Sequence, residues 1–191
     1  MNPSYAYSIL NPFDATRSHP FELRARANWS KPFVLHLDYV LKADLRQIIL
    51  PPAIEGAGRA DNLWEHTCFE AFIALEDSPD YLEVNLAPSN QWNIYEFKKY
   101  RGSRMEADQV NCKPMILKAK TNFNVQAEID LSGVAWIKNS KKTNDIHLGL
   151  TSVIELKSKL ISYCALTHKS DKPDFHRKES FILRLKNPSA V

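Results

Sequence analysis

Apolar and polar residues alternate along much of this chain, which is the pattern of β-strands with one face buried. Apolar side chains occupy every second position from Phe69 to Leu75 and again from Leu82 to Leu86. The intervening segment, EDSPD, contains a proline and is rich in turn-forming residues. This stretch therefore predicts a β-hairpin.

A second hairpin is predicted upstream, where the same alternation covers residues 21–29 and 33–41 on either side of the turn Ser30-Lys31-Pro32. Five further candidate strands follow the first hairpin and are separated by clusters of Asn, Ser, Gly, Lys or Pro: residues 115–120, 123–129, 146–152, 160–166 and 181–185. Together with the strand expected after Pro88, the pattern gives about ten strands.

Helical periodicity is nearly absent, and only residues 42–50 and 131–138 could form a helical turn or a short helix. Because strands do not alternate with helices, the sheets should be antiparallel. We therefore expect an all-β protein, a single-domain antiparallel β-sandwich of immunoglobulin-like or jelly-roll-like type that spans residues 1–191.

Composition supports one independently folding domain, since 44% of the 191 residues are hydrophobic and 10% are aromatic. The sequence shows neither a signal-peptide pattern nor an apolar run long enough to span a bilayer, so we expect no membrane partner. Three widely spaced cysteines do not suggest a disulfide framework. A reduced, cytoplasmic protein is the resulting expectation.

Candidate binding residues cluster in the segment from Asp61 to Tyr100. In a hairpin, the start of the first strand lies beside the end of the second, so Trp64 and His66 should approach Asn90 and Trp92 at one shared rim. Indole rings can pack on the apolar faces of a sugar, and an asparagine offers donors and acceptors for its hydroxyls. The alternative is structural: either tryptophan could belong to the core, and Asn90 could be an ordinary turn residue.

A second cluster lies in the late loop, residues 167–181, which connects two candidate strands. Lys172, Asp174 and His176 give it a density of polar side chains that is typical of a binding loop. Asp174 could instead cap its own Lys-Pro-Asp turn, which would make the loop a structural clasp.

These two clusters together resemble the DOMON-like domains, the group related to family 9 carbohydrate-binding modules. The resemblance rests on LWEHTCFEAFIA, on YLEVNLAPSNQWNIYEF and on the ending LTHKSDKPDFHRKESFIL. It implies a two-sheet antiparallel sandwich with a ligand site among its strands and end loops, and a ligand that is either a sugar or haem.

We therefore expect a non-catalytic module that binds a carbohydrate or a sugar-containing small molecule and needs no cofactor. Haem is the second binding alternative; it would need axial ligands such as Met105 or Met115 with a histidine, and Met105 lies among charged residues. A protein-interaction module is a further alternative.

Catalysis, metal binding and nucleic-acid binding are weaker predictions. Glu65, Glu70, Glu83 and Asp174 could supply the two carboxylates of a glycoside hydrolase, but Glu65 and Glu70 point to opposite faces of any shared strand. His66 and Cys68 share a face without a recognisable metal motif. The net charge of +3 comes with scattered lysines that lack interleaved aromatics, so no nucleic-acid partner is expected.

Overall fold

In a computed structural model of the chain, which describes residues 6–141 and 143–188, two antiparallel sheets are stacked as a β-sandwich. The described residues form thirteen strands, whereas the pattern of the sequence predicts about ten. The additional strands, β1 (Ser8–Ile9), β2 (Asn11–Pro12) and β8 (Arg104–Glu106), are two or three residues long, too short for an alternation to be visible in the sequence. The predicted fold class is confirmed.

The smaller sheet has five strands in the spatial order β1-β3-β4-β10-β9. Their bounds are β1 Ser8–Ile9, β3 Phe21–Lys31, β4 Val34–Ala43, β9 Asn111–Lys118 and β10 Asn122–Asp130.

The larger sheet has eight strands, in the order β2-β12-β11-β5-β6-β7-β8, with β13 also paired to β11. Their bounds are β2 Asn11–Pro12, β5 Cys68–Leu75, β6 Tyr81–Leu86, β7 Trp92–Phe97, β8 Arg104–Glu106, β11 Ile146–Glu155, β12 Ile161–Ala165 and β13 Leu183–Leu185.

Both predicted hairpins are confirmed. Strands β5 and β6 pair with Phe69 opposite Leu86 and Ile73 opposite Leu82, so the alternating apolar residues share one face. Strands β3 and β4 pair in the same manner, with Leu23 opposite Leu41.

The main core lies between the two sheets and contains the apolar residues predicted by the period of two. Phe69 of the larger sheet stacks on Phe123 of the smaller one, with ring centroids 6.2 Å apart. The hydroxyl of Tyr39 crosses the core and donates to the backbone carbonyl of Glu70 at 2.5 Å. This hydrogen bond ties the smaller sheet to the centre of the larger one.

Helices are short, as expected. The 3₁₀ turns Leu45–Gln47, Leu63–Glu65 and Lys178–Ser180 have three residues each, and the α-helix α1, Ala135–Lys138, has four. In the described ranges, no helix is long and apolar enough to cross a membrane.

The larger sheet is buried on its outer face as well, the face that points away from the smaller sheet. Every residue of β5 and of β6 is buried, although only alternate residues face the main core. The late loop covers this outer face, and its Phe181 stacks on Phe72 with centroids 5.5 Å apart. Gly149, opposite Phe72 on β11, leaves the room that Phe181 occupies, since an added Cβ would lie 2.7 Å from Phe181 Cδ1.

We expect Gly149→Ala to lower the free energy of unfolding by about 1–3 kcal/mol, because the new methyl group would force Phe181 off Phe72. Gly58→Ala is the matched control, since nothing lies within 4 Å of its added Cβ. Thermal unfolding should show a melting temperature several degrees lower for the first variant and nearly unchanged for the second. Equal effects of the two substitutions would refute this account of Gly149.

Candidate functional site

The outer face of the larger sheet contains a cavity of about 450 Å³, which we call the outer-face cavity. Its lining is drawn from the sheet, from the 3₁₀ turn before β5, from the segment after β7 and from the late loop: Trp64, Glu70, Phe72, Glu83, Phe97, Arg101, Arg104, Val153, Tyr163, Pro173, Phe175 and His176. A volume of this size is in the range of small-molecule sites.

The alternation of strand residues explains the polar floor of the cavity. Successive side chains in a strand point to opposite faces, so Glu70 and Phe72 face outward when Phe69 and Ala71 face the main core. On the neighbouring strand, Glu83 faces the same way for the same reason. The floor therefore combines carboxyl groups with an aromatic ring.

Aromatic side chains form the walls of the cavity. Trp64 lies in the 3₁₀ turn Leu63–Glu65, which follows Asn62 in the left-handed conformation with φ 59°. The Trp64 ring contacts Tyr95 edge-on, with centroids 5.9 Å apart. The guanidinium of Arg104 lies 4.7 Å from the Trp64 ring centre and 4.5 Å from that of Tyr95, so cation–π contacts join Arg104 to both rings, and Trp64 and Arg104 line the cavity.

Glu70 is the most unusual residue of the floor, because its side chain is almost completely buried without a charged partner. One carboxyl oxygen, Oε2, accepts from the Thr151 hydroxyl at 3.5 Å, and the other, Oε1, accepts no hydrogen bond from any described residue. Burial and the nearby charge of Glu83 raise the pKa of Glu70 well above its usual value. This arrangement favours a neutral carboxyl group in the absence of a ligand.

Glu83 lies diagonally across from Glu70, since Glu70 pairs with Asn85 and Phe72 pairs with Glu83. Asn85 donates to Glu83 Oε1 at 2.9 Å. Burial raises the pKa of Glu83, although the hydrogen bond from Asn85 and the charges of the two arginines at the mouth oppose this shift. The floor thus contains two buried acids, and the charge of Glu83 disfavours the ionisation of Glu70.

His176 connects the late loop to this floor. Its Nδ1 lies 2.8 Å from the Tyr81 hydroxyl, and its Nε2 lies 3.8 Å from Glu83 Oε2. Tyr81 already accepts from the backbone N–H of Arg101, so its own proton can go to Nδ1, which leaves Nε2–H facing Glu83. Burial, with the charge of Arg101, lowers the pKa of His176 to about 4, so the imidazole is neutral at pH 7.

Asp174 fixes the late loop to the segment after β7. Its Oδ2 accepts from the Tyr100 hydroxyl at 2.5 Å, and its Oδ1 accepts from Arg101 at 2.9 Å and from the backbone N–H of His176 at 3.2 Å. Arg177 adds an ion pair at 3.4 Å. Burial acts to raise the pKa of Asp174, but the hydrogen bonds from Tyr100 and Arg101 outweigh it and lower the pKa overall.

The structure brings two of the sequence-predicted binding residues to this cavity, Trp64 and His176. Asp174 lies in the same loop, but both of its carboxylate oxygens already accept from protein donors, as in the clasp that the sequence left open as an alternative. Lys172 is exposed and does not line the cavity.

The expected shared rim of two tryptophans is not what the structure shows. Trp92 packs in the main core, opposite Leu86, and the guanidinium of Arg59 lies 4.4 Å from its ring centre. Asn90 stands in the left-handed conformation, with φ 67°, in the turn before β7. His66 is largely exposed and contacts Glu155 at 2.8 Å. Hairpin pairing brings these chain segments together, but Trp92 on β7 faces the main core, whereas Trp64 in the 3₁₀ turn before β5 packs on the outer face.

Several lining residues were not predicted as binding residues, among them Glu70, Glu83, Phe72, Tyr163 and Phe175. From the sequence, Glu70 and Glu83 are candidates for catalytic carboxylates, or for groups that neutralise a structural cation or an arginine such as Arg59. The sequence does contain a signal for the first three, because each alternates with core residues on a strand whose outward positions are also large or acidic. Tyr163 and Phe175 reach the cavity through non-local packing that the pattern does not encode.

The lining does not fit haem ligation. Met105 and Met115 are each 49% exposed, and neither lines the cavity. His176 lies in it, but its ring packs edge-on against Phe72 and Phe97, and its Nδ1 contacts Tyr81. Within residues 6–141 and 143–188, no cluster of three or more His, Cys, Asp or Glu side chains could hold a metal ion.

Comparison with known proteins gives a likeness of fold. The chain is similar to the crystal structure of a proposed carbohydrate-binding protein from Bacteroides uniformis, with a TM-score of 0.67 and 15% sequence identity. The match covers 93% of this chain and 84% of that one. No protein-family model matches the chain, and no curated protein sequence matches it. At this identity the likeness concerns the fold of the two proteins.

We expect Glu70→Gln to stabilise the protein at pH 8 and to have a smaller effect at pH 5. An acid whose pKa is raised by folding lowers the free energy of unfolding as the pH rises above its unfolded value of about 4.3, and an amide avoids this cost. A gain on the order of 1–3 kcal/mol at pH 8 corresponds to several degrees in a thermal melt. The exposed Glu65, replaced by Gln, serves as the control. A gain that is equal at both pH values would contradict this assignment.

Asp174→Asn should have the opposite dependence. A carboxyl whose pKa is lowered by folding stabilises the native state above its unfolded value of about 3.9, and this contribution disappears as the pH falls further. We expect a loss of about 1–3 kcal/mol at pH 7 that shrinks below about pH 4, measured by thermal unfolding. Asp171→Asn, an exposed position of the same loop, should change little. A loss at pH 7 that persists at pH 3 would show that the charge of Asp174 is not the cause.

Proposed function

We propose that this protein is a non-catalytic carbohydrate-binding module of the DOMON-like group related to family 9, and that the sugar binds in the outer-face cavity. The observation that carries the proposal is the combination of aromatic walls with a polar floor in one cavity. Sugars present apolar C–H faces and hydroxyl groups together, so their sites require both kinds of surface.

The polar groups of the cavity can serve the hydroxyls of a sugar. Glu70 Oε1 accepts no hydrogen bond from the described residues, and Arg101 and Arg104 lie at the mouth. A neutral carboxyl group can both donate and accept, which matches the two roles of a hydroxyl. Trp64 and Phe175 are partly exposed and offer the aromatic surface on which a pyranose ring would pack.

The structural neighbour supports this proposal in a general way, because it is described as a proposed carbohydrate-binding protein and not as an enzyme. A cytoplasmic location is part of the same proposal. All three cysteines are buried and free, as is typical of proteins in reducing compartments.

Trp64→Ala should weaken sugar binding by about 5- to 30-fold, because the truncated side chain loses apolar packing on the order of 1–2 kcal/mol. A glycan array would select the ligand, and calorimetric titration of the best hit would give the affinity. Trp136→Ala is the matched control, since the partly buried Trp136 lies at α1, outside the cavity, where its Nε1–H donates to Glu96.

The proposal fails if no sugar binds or if the two tryptophan variants lose affinity equally. Thermal melts of both variants separate a loss of affinity from a loss of folding. Recovery of the bound sugar in unchanged form, after prolonged incubation, would test the non-catalytic part of the proposal; a cleaved or altered product would contradict it.

A further inference from the structure

We propose that the ligand of the outer-face cavity carries a positively charged amine, and that Glu70 and Glu83 bind this group at the floor. For a sugar ligand, this means an amino sugar. The inference rests on the proposed function for the site and for the sugar, but the preference for an amine follows from the floor of the cavity.

The first observation is the unpartnered oxygen of Glu70. The residue is only 2% exposed, yet its Oε1 accepts no hydrogen bond from the described part of the chain. Buried polar atoms are almost always hydrogen-bonded, and a native exception needs an explanation. Since Glu70 lines the cavity, a donor from a bound ligand supplies that explanation.

The second observation is that two acids share this floor. Glu83 is 6% exposed and lies diagonally across from Glu70 on the adjacent strand. The Cα atoms of such diagonal neighbours are roughly 7–8 Å apart, and this spacing lets one cationic group contact both carboxyls. Two buried acids with one cation between them form a more stable arrangement than two acids alone.

The third observation is that the nearby arginines are already paired elsewhere. Arg101 donates two hydrogen bonds to Asp174, at 2.9 and 3.3 Å. Arg104 lies over the rings of Trp64 and Tyr95 and is 3.9 Å from Asp61. In the described chain, neither arginine forms an ion pair with Glu70 or Glu83, which leaves the place between the two acids to a cation of the ligand.

An ammonium group fits this floor better than a hydroxyl. It carries three donors and a full charge, whereas a hydroxyl brings one donor and no charge. The aromatic lining adds to the preference, because aromatic rings attract a cation at short range.

Binding of an ammonium should displace the proton that the acid pair holds and release it to the buffer. Amine affinity should therefore rise with pH, whereas a neutral ligand that accepts from protonated Glu70 should bind more weakly as the pH rises. His176 stays neutral between pH 6 and pH 8, since its pKa is lowered to about 4. The titratable and charged groups that surround Glu70 are Tyr39, Cys68, Glu83, Arg101, Arg104 and His176.

The test is isothermal titration calorimetry of the full chain with two matched sets of probes. The sugar set is glucosamine, glucose and N-acetylglucosamine; the sugar-free set is cyclohexylamine and cyclohexanol. We expect each amine to bind at least tenfold more tightly than its neutral partners at pH 7. For cyclohexylamine, affinity should increase from pH 6 to pH 8, and the heat should vary with the ionisation heat of the buffer, which reports the released proton.

Variants locate the effect. Glu70→Gln and, separately, Glu83→Gln should each weaken amine binding at least tenfold and change the affinity of the neutral probes much less. Glu65→Gln, an exposed position beside Trp64, should leave both unchanged. Thermal melts show whether each variant folds, and the buffer-dependent heat of the unmodified protein tests the proposal without any variant.

The outcomes distinguish this inference from the proposed function. Sugars that bind with no preference for the amine overturn the inference and leave the proposed function intact. Amines that bind when no sugar does overturn the proposed function and support the acid pair as an amine site. If no probe of either set binds, the inference is overturned.

Discussion

The outer face of the larger sheet has to be covered, and most of the site follows from this constraint. Strands β5 and β6 place Phe72 and Tyr81 on that face beside Glu70 and Glu83. The aromatic rings favour removal from water, whereas burial of the two acids is costly unless they gain a partner. The late loop removes the aromatic rings from water by packing Phe181 on Phe72. Over the glutamates it leaves a cavity instead of a sealed core.

The carboxyl groups of Asp174 and Glu70 both lie in this covered region, but the fold treats their charges in opposite ways. Asp174 is saturated by donors and holds the loop in place, so its charge is stabilised by the fold. Glu70 has almost no hydrogen-bond donors around it, so its charge is disfavoured by the fold. Residues of the same chemical type therefore serve different purposes because their surroundings differ, and only the second is poised to gain from a ligand.

The sequence predicts the sandwich well because strand alternation is a local property. The two hairpins, the antiparallel pairing and the short helical turns follow from the spacing of apolar residues and from prolines and polar residues at turns. Short edge strands such as β8 are not predicted, because three residues cannot display a period of two. Trp64 could be proposed from its loop position. The placement of Trp92 required knowledge of which face its strand turns toward the core.

The cavity itself is harder to predict, because it depends on contacts between segments far apart in the chain. Glu70 and Glu83 alternate with core residues, so their outward orientation is readable in the sequence. The sequence does not reveal that the late loop crosses over them, because the contacts of Asp174 with Tyr100 and Arg101 join positions about 70 residues apart. An acidic residue in a strand is more often solvated, and only the covered face makes these two exceptional.

The hydrogen bond from Tyr39 to the backbone carbonyl of Glu70 has a consequence for recognition. It holds the centre of β5 from the side opposite the cavity, through a residue that is itself fully buried in the other sheet. A binding group on such a backbone is rigid before any ligand arrives, so little conformational entropy remains to be lost at this position when one binds. The smaller sheet, which contributes no lining residue, therefore takes part in recognition by preorganising the floor.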